Sequence, residues 1–234
     1  RTPRILGSLA VLATTAVLAA CTSGGVPGTT GASPAAPPSS STSSKASGSA
    51  SALAANVTVE QARASNATPD AADTSWSESG ATVIALNGTS ASISGAGATA
   101  SGSTVTIGAG GTYVLSGSLQ GQILVDSASS DEVKLVLKGA TVTSQTGAAI
   151  AFTDAGEAVV VLAEGTTNSL TDATTFADTT SEDAPNAALF SMADLTIGGS
   201  GSLSVTGRVN DGVASKDGLV ISGGTVAVKA ADDG

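Results

Sequence analysis

Tyr113-Val114-Leu115, Leu135-Val136-Leu137, Val160-Val161-Leu162, Leu195-Thr196-Ile197 and Leu219-Val220-Ile221 are versions of one pattern, each followed within a few residues by Gly and then by another short β-branched run. Their first members lie 22, 25, 35 and 24 residues apart. A spacing of about 20–50 residues marks a repeat architecture, and units of Val, Ile, Leu, Thr, Ser and Gly without helical periodicity predict strands.

Aligned on these runs, each unit reads as three short strands separated by corners. In one unit the strands are Val133 to Leu137, Ala140 to Thr143 and Ala148 to Ala151, with Gly139 at the first bend. The next gives Ala158 to Leu162, Asn168 to Leu170 and Ala187 to Leu189, and then come Asp194 to Ile197, Ser202 to Val205 and Gly212 to Ala214. Leu219 to Ile221 and Thr225 to Val228 begin an incomplete unit, while Thr112 to Val125 and the stretch from Thr82 to Ile107 supply earlier, weaker ones. Alternation such as Leu195, Ile197, Leu203 and Val205 turns aliphatic side chains inward. The expectation is an all-β fold, a parallel β-helix whose coils stack at about 4.8 Å into ladders of like residues. Asn87-Gly88 is the one hairpin-type dipeptide read against it. A solenoid of this kind offers long ladder-like faces suited to extended polymers.

Only part of the chain has to bury a core. Arg1 and Arg4 precede an apolar run from Ile5 to Ala20 that ends in Leu18-Ala19-Ala20-Cys21, the sole Cys. This stretch resembles a bacterial lipoprotein signal (residues 1–21), which implies a lipidated Cys21 and attachment to the outer face of the cell envelope without a spanning helix. Residues 22–80 form a Ser, Ala, Gly and Pro-rich disordered linker and lead-in that includes Trp76, and residues 81–234 are the solenoid. An uncovered solenoid end exposes unpaired strand groups, so further coils or a cap are expected beyond Gly234.

The net charge of −10 sits on the solenoid, since residues 1–80 carry four basic and four acidic groups and residues 81–234 carry five and fifteen. Such a surface excludes nucleic acid as a partner. With no His and one Cys, the usual zinc chemistry and any disulfide framework are excluded as well. The carboxylates either solvate the fold or collect divalent cations.

The interval from Val160 to Leu195 is about ten residues longer than its neighbours, and the surplus, Thr171 to Pro185, contains Phe176 and Asp183. Insertions in repeat folds emerge as loops on one face, so this loop is a site candidate. A polar corner recurs at Asn186, at Asn210-Asp211 and at Asp232-Asp233, which stacking would bring into one column, with Asp194 and Asp217 forming a second. Ca2+ takes six to eight oxygen ligands from such groups. The same residues are common in turns, where they cap local backbone instead.

Pro185-Asn186-Ala187-Ala188, Leu195 to Gly201, Asn210 to Asp217 and Ile221 to Thr225 together resemble the bacterial carbohydrate-binding lipoprotein family with a polysaccharide-lyase-like right-handed parallel β-helix. The resemblance spans roughly Gly111 to Gly234. It implies a calcium-containing, monomeric, cell-surface module that binds cellulose or pectic acids without needing catalysis. Binding is then expected on the outward strand face, with Arg208, Lys216 and Asp183 as substrate contacts and Ca2+ at the corners. The alternatives are a lyase or hydrolase, in which Arg208 or Lys216 would act beside Asp211 and Asp217, and an adhesin-like spacer with no ligand.

Overall fold

The computed structural model describes residues 58–61, 70–127, 130–177, 181 and 183–231, all within one compact unit, Thr58–Gly234. The signal segment, Cys21, most of the linker, Asp232 and Asp233 lie outside the described residues.

Sixteen strands follow: β1 Thr82–Gly88, β2 Ala91–Ser94, β3 Ala98–Ser101, β4 Thr104–Ile107, β5 Gly111–Leu119, β6 Gln122–Asp126, β7 Glu132–Thr143 and β8 Ile150–Asp154. Then come β9 Glu157–Leu162, β10 Thr167–Thr171, β11 Ala187–Ser191, β12 Leu195–Gly199, β13 Ser202–Thr206, β14 Asp211–Ser215, β15 Leu219–Ile221 and β16 Thr225–Lys229. The strands lie where the repeat pattern placed them, and the all-β class holds. The expected right-handed parallel β-helix does not. The strands form two mixed sheets instead of three uniformly parallel faces.

Two features overturn the expectation. First, β1 pairs antiparallel with β2, and β3 pairs antiparallel with β4. The reason is local turn chemistry: Gly88, at φ 74°, and Gly102, at φ 56°, occupy left-handed backbone that folds each pair back on itself. Second, the first and second strands of a unit are not always separate. The twelve-residue β7 runs unbroken through the Gly139 bend, pairing with β9 through Val133 to Leu137 and with β10 through Thr141 to Thr143. The first sheet therefore runs β15-β12-β9-β7-β10-β13-β16, with β5, β1 and β2 joined beside β7. The second runs β14-β11-β8-β6-β4-β3.

Parallel register stacks the apolar positions. Tyr113, Leu135, Val160, Ile197 and Ile221 are successive partners in the first sheet, and Val105, Ile123, Ile150, Leu189 and Val213 are successive partners in the second. Apart from Ile221, which is exposed, and Val213, which is half-buried against the cluster, these columns and their neighbours form one buried cluster between the sheets. Burying each such side chain is worth about 1.5–3 kcal/mol.

One polar side chain sits within that core. Asn168 is 1% exposed, and its Oδ1 accepts from Gly139 N at 2.9 Å and Ala140 N at 2.8 Å. Its Nδ2 donates to Ser202 O at 3.1 Å and to Thr166 Oγ1 at 3.2 Å. One amide thus ties β7, β10 and β13 together at the bend, satisfying backbone groups that the ladder leaves unpaired.

Just past the other end of β10, Asp172 is fully buried. Its Oδ1 accepts from Arg208 N at 2.7 Å, while Oδ2 has no protein partner. Burial pushes this carboxyl above the usual carboxylate range, against the lowering effect of the Arg208 backbone bond.

Replacing Asn168 with Ala strands the buried Ala140 N–H and the more accessible Gly139 N–H and is expected to cost about 1–3 kcal/mol, read from the shift of the urea midpoint. For Asp172 the folded carboxyl holds its proton more tightly than the unfolded one. Its stabilising contribution is therefore greatest below the ordinary Asp value, falls as pH rises toward the raised folded value, and is constant beyond it. Asp172→Asn should gain stability relative to wild type as pH rises above the ordinary Asp value toward the raised folded one. A difference in urea midpoint between the two proteins that does not change with pH would contradict this.

Candidate functional site

Ligand binding was expected on the outward strand face; in the first sheet the outward face of β5, β7 and β9 is taken by the chain itself. Residues 72, 74 and 76 are half-buried and alternate with exposed 71, 73 and 75, the period of an extended segment lying on a surface. Ala72, Trp76 and Ala81 pack against the outer column of Val114, Val136 and Val161 together with Val159 and Ala163. Ala72 N donates to Thr196 Oγ1 at 3.0 Å, Lys134 Nζ donates to Ser75 O at 3.0 Å, and Lys138 pairs with Glu78. Thr74 fits against Gly198, where a Cβ would collide with its side chain. Trp76, read from sequence as part of an unstructured lead-in, is thus an anchor of this strap.

The outward face of the second sheet is built differently. Thr106, Leu124, Ala151, Phe190 and Ala214 are successive partners across β4, β6, β8, β11 and β14. Phe190 points away from the main core yet is fully buried, in an apolar cluster of its own with Ala148, Ala151, Ala187, Phe176 and Met192. Phe176 comes from the insertion after β10, whose base is tied by Ala173 N donating to Gly147 O at 2.9 Å. The ring lies over Gly147, with Cδ1 3.7 Å from where a Cβ would stand.

Two clefts flank Phe176 and Pro185. One, about 190 Å³, is lined by Gln122, Leu124, Thr146, Gly147, Ala148 and Ala151 among others. The second, about 260 Å³, continues past Ser181 and Ala184 to Asn186, Val209 and Asn210. The insertion singled out from the sequence therefore does border concave surface. Its contribution there is Phe176 and Pro185, not carboxylates.

The polar corner is assembled in part. Asn186 Nδ2 donates to Asp211 Oδ2 at 2.9 Å across the ladder, so an amide faces the carboxylate and eases the repulsion a second carboxylate would bring. Asn186 Oδ1 is buried and has no protein partner among the described residues, which leaves an acceptor suited to a cation or water. In the second column, Asp194 Oδ1 accepts from Gly218 N at 2.7 Å, the backbone-capping role. Asp154, Asp194 and Asp217 line a shallow cleft of about 320 Å³, and Asp194 also lines a neighbouring one of about 480 Å³ with Asp70 and Glu157. Burial first, then the charges of Glu132, Asp194 and Asp70, push the Glu157 carboxyl upward. Among the described residues no group of three or more His, Cys, Asp or Glu is arranged to hold a metal.

Arg208 and Lys216, expected together as substrate contacts, are exposed at opposite ends of β14. A five-residue strand separates them by roughly 16 Å. Asp183 is exposed in the insertion, its N–H donating to Ser181 Oγ at 3.3 Å. Gly147 belongs to a recurrent corner, Gly147-Ala148-Ala149-Ile150, that the sequence shows, but Gln122 and Thr146 escaped the sequence reading because Gln and Thr are ordinary strand-edge residues and the repeat pattern does not show which corner a distant Phe will cover.

Residues 101–234 match the model of a family described as carbohydrate-binding domain-containing protein. A protein of that description from Acetivibrio thermocellus is 38% identical over 122 residues, which are 51% of this chain and 43% of the relative. The solved structure of a polysaccharide lyase-like protein from C. thermocellum, a gadolinium derivative, is similar with a TM-score of 0.61 and 34% identity over 64% of this chain and 61% of that one. The chain thus spans less than two thirds of either protein's length. With the family model matching more than half of its residues, this chain belongs to the carbohydrate-binding domain-containing protein family.

Proposed function

We propose that the protein is a non-catalytic polysaccharide-binding module, displayed on the outer face of a bacterial envelope through a lipid on Cys21. The observation that carries the location of binding is the strap of residues 70–81. It covers the outward column of β5, β7 and β9 in the first sheet, whereas on the second sheet the insertion adds concave surface beside the outward face. The family membership and the polysaccharide lyase-like neighbour support a glycan as the ligand.

Two features favour binding over catalysis. Arg208 with Asp211 and Lys216 with Asp217 stand at opposite ends of β14, so the two basic residues are kept from acting together around one reacting carbon. Asp211, moreover, is engaged by the Asn186 amide. A general base must come within hydrogen-bond reach of the proton it removes, and neither end gathers a base and two cationic groups around one cleft.

Calcium belongs to the same proposal. The unpartnered Asn186 Oδ1, with Asp211 and Asn210 beside it, is the place where a hard cation finds oxygen ligands, completed by backbone carbonyls and water. Bound there, the ion would supply local positive charge on an acidic surface.

In a pull-down of the full chain, retention on insoluble cellulose or on polygalacturonate with no unsaturated, ultraviolet-absorbing product is expected. Failure on every glycan would favour a spacer, and such a product would establish a lyase. Calcium at about 100 times its Kd stabilises a protein by about 2.7 kcal/mol, or roughly 5–10 °C in melting temperature for a domain of this size. Chelation should reverse that shift in wild type and have no effect in Asn186→Ala. An unchanged melting temperature on adding calcium would remove the metal from the proposal.

A further inference from the structure

We infer that the cleft beside Phe176, over Gly147, is a subsite for one neutral pyranose ring of the polysaccharide, and this assignment rests on the polysaccharide-binding reading above. A pyranose carries axial C–H groups on its faces and hydroxyls around its rim, so its receptor needs a flat apolar wall with uncharged hydrogen-bonding groups at the edge. The cleft has both. Half-buried Phe176 forms the wall, Leu124 and Ala151 extend the apolar surface, and Gln122 and Thr146 stand at the rim. Thr146 Oγ1 donates to Gln122 Oε1 at 3.1 Å, which leaves the two N–H donors of the Gln122 amide without a protein partner among the described residues.

Gly147 keeps the space open. A Cβ there would stand 3.7 Å from Phe176 Cδ1, in van der Waals contact with the ring edge, so any larger side chain enters the cleft. A volume of about 190 Å³ is below the roughly 300–1,000 Å³ of sites that enclose a drug-sized ligand, and it suits one ring of a chain that continues over the surface.

Charge selects the class of sugar. Among the described residues no titratable group lines the cleft, and the ion-paired lysines, Lys134 and Lys138, are bonded to Glu132 and Glu78 at the first sheet. A uronate carboxylate would find no cation in the cleft while approaching a protein of net charge −10. A neutral hexose loses nothing there.

The test is a calorimetric and NMR titration of the full chain with cellohexaose and with a hexagalacturonate, each in calcium and in chelator. Cellohexaose should bind and shift the backbone signals of Gln122, Thr146 and Gly147, whereas hexagalacturonate in chelator should leave them in place. Phe176→Ala, Gly147→Val and Gln122→Ala should each weaken cellohexaose binding by about tenfold, and Phe176→Tyr should keep it within about threefold. Should Phe176→Ala fail to fold, Gly147→Val and Gln122→Ala carry the test, because neither removes a side chain from the apolar cluster. Wild-type affinity in those variants would overturn the subsite and leave polysaccharide binding standing. Equal response of the three signals to hexagalacturonate in chelator would overturn its neutrality, and wild type that binds no glycan at all would overturn both readings.

Discussion

Parallel register is the constraint on which the structure depends. Strands 22 to 35 residues apart in the chain are held with Leu opposite Leu and Val opposite Ile, and a slip of one residue would turn a whole aliphatic column out to solvent. Backbone pairing alone does not hold that register where β5 and β7 bend, because the β5–β7 ladder shifts between Leu115 and Gly117. Asn168 secures the next layer at that bend by bonding Gly139 and Ala140 on one side and Ser202 on the other. A buried amide with both ends satisfied specifies one alignment of three strands in a way that an aliphatic residue at the same place would not.

Once the inward columns are fixed, the outward ones follow, and their chemistry divides the two sheets. The first sheet turns out Val114, Val136 and Val161, an apolar stripe that water would penalise, and the strap carrying Trp76 covers it. The second turns out Thr106, Leu124, Ala151 and Phe190, which the Phe176 insertion covers only in part. Function is sought on the second sheet because the insertion adds concave surface there, while the strap occupies the apolar outward column of β5, β7 and β9.

Most strand positions were legible, since a two-residue alternation between glycines is a strong local signal and needs no knowledge of partners. The pairing was less so. Asn87-Gly88 was visible and set aside, although Gly88 closes a hairpin, and Gly102-Ser103 closes a second that the repeat reading absorbed as a weak coil. Here a two-residue turn outweighed a distant periodicity because it forms from neighbours at little entropic cost. The merging of two expected strands into β7 was hidden for a related reason: Gly139 marks a bend, and a bend does not say whether pairing stops. At the corner, the adjacency of Asn186 and Asp211 followed from their spacing of 25 residues, while the pairing of Gln122 with Thr146 depended on a loop path that no local pattern records.

The distribution of charge completes the division of labour. Asp70, Asp154, Glu157, Asp194 and Asp217 gather along one margin, in the clefts around Asp194, where mutual repulsion and burial together raise Glu157. Phe176 and its neighbours lie apart from that cluster in a lining with no ionisable group among the described residues. Unpaired like charges cost least at an edge where water screens them, and the described carboxylates concentrate there and not in the Phe176 cleft. A neutral, ring-shaped ligand therefore meets a dispersive contact and two uncharged rim groups without crossing an electrostatic barrier, whereas an anionic one meets repulsion before it reaches the wall.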